Sequence, residues 1–161
     1  MQENIVSTTK AITLWEPYAS CIVFGIKKIE TRTWPTKYRG PLFIHASQHK
    51  MTKTQLAKAK AFFEKLGHHF EPNYGCLVAE CNLVDCVLMS EELIQNQPEL
   101  EIMFGHWQVG YYAWILENIR ACARTPVLGK QGLWNLEKKS DVVKKDQATT
   151  LNYHQLLIPF F

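Results

Sequence analysis

The sequence predicts an α+β fold: a mainly antiparallel mixed sheet of five or six strands, partly closed on itself, with two or three flanking helices. Two observations carry this. Strand-type stretches recur from Ala11 to Leu136, and helix-type periods interrupt them irregularly rather than alternating with them as in a β-α-β winding. The 161 residues, 47% hydrophobic and 20% charged, have the proportions of one domain with an ordinary core.

The elements follow in order. Ala11 to Trp15 reads as a short strand, and Glu16-Pro17 as the start of an apolar helix, Tyr18 to Phe24, that Gly25 ends. From Ile29 the period becomes two, so that Glu30, Arg32 and Trp34 share one face and Ile29, Thr31 and Thr33 the other. A turn cluster over Pro35 to Gly40 leads into a strand from Pro41 to Ser47, and the two strands are expected to pair as a hairpin. Leu56, Ala59, Phe63 and Leu66 mark an amphipathic helix from Thr52, closed by Gly67. Gly75 to Met89 is a long strand expected to bend near Asn82, a short acidic helix follows Ser90, and Tyr111 to Arg124 is a second long strand. Pro126 to Leu136 is a loop and strand, 137–150 a polar linker, and 151–161 an apolar tail expected to pack back on the domain.

A net charge of +3 excludes a broad electrostatic grip on a duplex and leaves room for a small basic cleft. No apolar run is long enough for a membrane span or an export signal, so the expected setting is cytoplasmic, without a membrane. Five cysteines, an odd number at spacings unlike C-x-x-C, read as buried thiols. His49, His68 and His69 lack partners at ligand spacing, and no phosphate-binding loop, dinucleotide fingerprint or G-x-S-x-G occurs, so neither metal nor cofactor is expected.

The chemistry concentrates where the first helix gives way to the second strand. Lys27, Glu30 and Arg32 converge at this junction, and ionisable groups so placed must pair with one another or meet a ligand. Their net positive charge suits a phosphate or a polar base edge, with Glu30 able to accept from an exocyclic amine. Trp34 offers a stacking surface, Tyr38 a second plane and Arg39 a backbone clamp, while His45 and Ser47 approach the cluster if the hairpin forms. The structural alternative is an ion-pair network that fixes strand register, with Trp34 in the core.

The segment from Gly25 to Arg32 fits G-x-K-x-x-E-x-R at all four fixed positions, and is preceded by LWEPYASCIVFG and followed by TWPTKYRGPLFIHAS. With GYYAWILENIR and GKQGLWNL further on, it resembles ASCH domains of the PUA-like superfamily, small RNA-associated pseudo-barrels. The resemblance covers residues 10–137 and leaves 138–161 as a C-terminal extension. It implies a binding module for single-stranded RNA or a nucleotide, and the residues read above, Lys27, Glu30, Arg32, Trp34, Tyr38, Arg39, His45 and Ser47, are the candidates to form its site. It also implies a hydrolase alternative, since some bacterial members deacetylate acetylated cytidine with a lysine and a threonine, and ribonuclease activity has been proposed for others. Lys27 matches that lysine, but Glu30 stands where the threonine should be, so Lys27 and Glu30 are the catalytic candidates, with Glu30 as a general base on water. A third implication is a transcription-related protein-interaction module, whose partner the sequence leaves unknown.

Overall fold

The computed structural model describes residues 9–136, so the expectations for 137–161 lie outside the described residues. Within them the order is β1 (Thr9–Leu14), α1 (Tyr18–Val23), β2 (Ile29–Arg32), β3 (Gly40–Ala46), α2 (Lys53–Lys65), β4 (Cys76–Leu88), α3 (Glu91–Gln95), α4 (Glu99–Met103), β5 (Tyr112–Pro126) and β6 (Leu133–Leu136). The six strands form one mixed, open sheet in the order β2-β5-β4-β3-β1-β6. Four helices flank it rather than two or three. The extra one, α4, is a five-residue turn that follows Pro98, too short to show a helical period in the sequence.

The hairpin of β2 with β3 does not form. β2 pairs antiparallel with β5, Glu30 opposite Trp114, while β3 lies between β4 and β1 and runs parallel to β1, with His45 opposite Thr13. Local periodicity shows which face a residue takes but not which strand it meets, and here the partner lies more than eighty residues away. The expected bend in β4 is present as register shifts against β5, one of them between Glu80 and Asn82.

Ile12, Leu14, Leu42, Ile44, Val78, Leu83 and Trp114 fill the main core, over which α1 lays Ala19 and Ile22. A second cluster, Cys21, Ala59, Phe63 and Phe70, joins α2 to the other side of α1. The buried Glu16 carboxylate ties the start of α1 to the segment before β4, accepting from Ser20 N, Ser20 Oγ and Asn73 N at 3.1, 2.9 and 2.8 Å. Thr52 and Gln55 close a capping box on α2. Among the described residues no helix is long and apolar enough to cross a membrane.

Candidate functional site

Gly25, at φ +71, turns the chain at the end of α1, and the amides of Ile26 and Lys27 then both donate to the Cys21 carbonyl. This reversal aims Lys27 inward. Its side chain is 1% exposed, donates to the Ile29 carbonyl at 2.5 Å and lies 3.4 Å from Glu30 Oε2. Arg32, two residues along the same face of β2, brings its Nε to 3.1 Å from Glu30 Oε1. One carboxylate is thus held between two cations, which compensates three charges where water is scarce and leaves a surplus of one positive charge.

Glu30 and Arg32 open onto a cavity of about 650 Å³ with Trp15 and Tyr18 on one wall and Phe104, His106 and Trp107 on another. Three bonds fix the second wall. The Trp107 indole donates to the Glu101 carbonyl at 2.7 Å, the His106 amide donates to Thr31 Oγ1 at 2.8 Å, and the Glu101 carboxylate accepts from the Lys28 amide. Burial pushes the Glu101 pKa up; the Lys28 amide and the charge of Lys27 oppose that shift.

Arg32, Thr13 and Trp15 also line a second cavity of about 590 Å³. Because β1 and β3 run parallel, their C-terminal ends deliver Trp15 and Ser47-Gln48 to its rim, and the loop 128–132 closes it. His45 lies beneath that loop, 1% exposed, with Nε2 2.9 Å from the Val127 carbonyl, so Nε2 carries the proton. Burial lowers its pKa, opposed by its bonds to backbone carbonyls. Trp34 lines the same cavity and packs edge-to-face on Trp114, centroids 4.8 Å apart.

Of the residues singled out in the sequence, Glu30 and Arg32 meet in the first cavity, Arg32, Trp34, His45 and Ser47 line the second, and Lys27 stands behind Glu30. Tyr38 and Arg39 line neither. The Tyr38 hydroxyl donates to the Pro41 carbonyl, and Arg39 pairs with Asp85 at 3.0 Å on the exposed side of the sheet. The sequence reading missed Thr13, Trp15 and Tyr18, and missed the wall from Phe104 to Trp107, whose signal is three aromatic or imidazole rings around Gly105. It also passed over Gly129 and Lys130. Among the described residues no group of three or more His, Cys, Asp or Glu is placed to hold a metal ion.

This chain is similar to activating signal cointegrator 1 of Homo sapiens, 28% identical over 134 residues covering 80% of this chain, and to its Mus musculus counterpart, 29% identical over 135. It spans only 22% of the length of these curated relatives. A solved structure of a mutant ZmASCH protein from Zymomonas mobilis overlaps 81% of this chain and 91% of its own, at 15% identity and a TM-score of 0.46. The family model described as "ASCH domain" matches residues 12–128, and that stretch contains the Lys27-Glu30-Arg32 cluster, both walls of the first cavity, β2 to β5 and the second half of β1. The chain belongs to the ASCH domain family.

Proposed function

We propose that the first cavity binds a nucleobase, presented by a nucleotide or by single-stranded RNA. The observation that carries this is the Glu30 carboxylate, immobilised between Lys27 and Arg32 and facing an aromatic-walled cavity. Each carboxylate oxygen has a lone pair beyond the one its cation uses, so Glu30 can accept from an exocyclic amine. The Arg32 guanidinium supplies donors beside it. Tyr18 and Phe104, with ring centroids 6.4 Å apart, and the more exposed Trp15 offer stacking faces. A splayed base can enter such a cavity, whereas a base in a duplex cannot.

Anisotropy titration with labelled single-stranded RNA, and calorimetry with nucleotides, test the reading. Binding is expected at low salt with a shallow salt dependence of about 0.7 per phosphate contact. Glu30→Gln is expected to weaken it and to shift preference away from amine-bearing bases. Undetectable binding of both RNA and nucleotides at low salt, or affinity unchanged in Glu30→Gln and Arg32→Ala, overturns the proposal.

A further inference from the structure

We propose that the second cavity is a phosphate compartment: it holds the phosphate of the nucleotide whose base occupies the first cavity, with Arg32 as the wall between them. The inference rests on the base-binding reading above and extends it, because it makes the ligand a phosphorylated nucleotide or a strand rather than a free nucleoside.

Charge separates the two cavities. Glu30 lies in the first, whereas the residues around the second include Arg32 and Lys130 and no Asp or Glu. Arg32 Nε lies 3.1 Å from Glu30 Oε1 as an ion pair, and among the described residues neither Nε, the two terminal nitrogens nor the Lys130 ammonium has a hydrogen-bond partner. The one surplus positive charge of the Lys27-Glu30-Arg32 cluster and the Lys130 ammonium, on one concave wall, are the donors an oxyanion recruits.

The neutral groups agree. Thr13 Oγ1 accepts the Trp134 indole N–H at 3.1 Å, which leaves its own hydroxyl proton to donate. The loop 128–132 lies so close that a Cβ on Gly129 would stand 2.4 Å from His45 Cε1 and 2.9 Å from Thr13 Oγ1. Only glycine lets the backbone approach this far. Among the described residues the amides of Gly129, Lys130 and Gln131, all in the loop that lines this cavity, donate to no backbone carbonyl. Arg32, Thr13 and Trp15 border both cavities, so the two adjoin across these side chains, as a base and its phosphate require.

The test is calorimetry at fixed low salt with adenosine, cytidine, their 5′- and 3′-monophosphates and inorganic phosphate, on wild type and Lys130→Gln. At least one monophosphate is expected to bind about tenfold or more tighter than its nucleoside, the worth of one charge-assisted hydrogen bond. Lys130→Gln is expected to erase that advantage and leave nucleoside affinity unchanged. Nucleosides that bind as tightly as their monophosphates, or an advantage that survives Lys130→Gln, would overturn the phosphate compartment while the base site stands. Inorganic phosphate that binds in a Lys130-dependent way without any monophosphate advantage would make this an oxyanion site unconnected to nucleotides, and so also overturn it. Absence of binding by every nucleoside, monophosphate and single-stranded RNA removes the base-site reading and this one together.

Discussion

The Lys27 ammonium lies 3.4 Å from the Glu30 carboxylate at the start of β2, and the lysine is 1% exposed while Glu30 keeps one edge on the cavity. The lysine therefore works from behind, holding the carboxylate in place, and Glu30 is the group a ligand meets.

Removing one partner of such a pair is expected to cost more than the pair itself contributes. Lys27→Ala should lower the unfolding free energy by about 3 kcal/mol, since it leaves a cavity and a carboxylate with one cation instead of two. The Lys27→Met, Glu30→Gln double variant should recover part of that loss. Urea unfolding monitored by tryptophan fluorescence measures both, and a Lys27→Ala loss under 1 kcal/mol would show that the pair is not what stabilises this junction.

Trp15 borders both cavities yet is 57% exposed, and stacks on His49 with centroids 4.1 Å apart. Trp15→Ala is expected to weaken nucleotide or RNA binding about tenfold, the worth of one stacked base, with little change in thermal midpoint. Parallel anisotropy and melting curves separate the two effects. A drop in stability without a drop in affinity would move Trp15 from the site to the scaffold.

Arg39 provides the converse control. Its partner Asp85 is exposed and neither residue borders either of the two cavities, so Arg39→Ala should leave nucleotide affinity unchanged and cost well under 1 kcal/mol of stability. A several-fold loss of affinity would place the ligand on the outer side of the sheet.

Burial holds the His45 pKa below the ordinary 6.5, so as the pH falls the unfolded chain takes up the proton first. This group's contribution is therefore full above about pH 6.5 and is lost as the pH falls from there toward the depressed native value. Unfolding measured from pH 7.5 to 5 should show stability falling by at most about 1.4 kcal/mol per pH unit from this one proton. His45→Gln should flatten that part of the profile, and a slope identical in the variant would assign it elsewhere.

Acetate release from acetylated cytidine is expected to be absent or very weak. Glu30 stands where the family's deacetylases place a threonine, and the neighbouring Thr31 hydroxyl is occupied by the His106 amide at 2.8 Å. A chromatographic assay of wild type, Lys27→Met and Glu30→Gln decides the matter. Turnover in the wild type that disappears in either variant would make Glu30 a general base and this protein a hydrolase.

The sequence by itself determined the helix ending at Gly25, the period-two strand that lines up Glu30 with Arg32, the bend in β4 and the family signature, because each depends on neighbours within a few residues. It also determined that Lys27 must find an opposite charge, a consequence of solvation cost that holds in any fold. Only the tertiary structure decided that β2 joins β5 instead of β3, since strand partnership is settled by long-range burial of residues such as Trp114. The same pairing left Tyr38 and Arg39 outside the cavities and set Phe104 to Trp107 opposite Trp15. Lys130 and Gly129 are about a hundred residues from Arg32 in the chain, and they reach it because β6 closes onto β1 and β3 runs parallel beside it. Contacts of that kind depend on which hydrophobic faces the whole chain can bury at once, and no local pattern of residues carries that information.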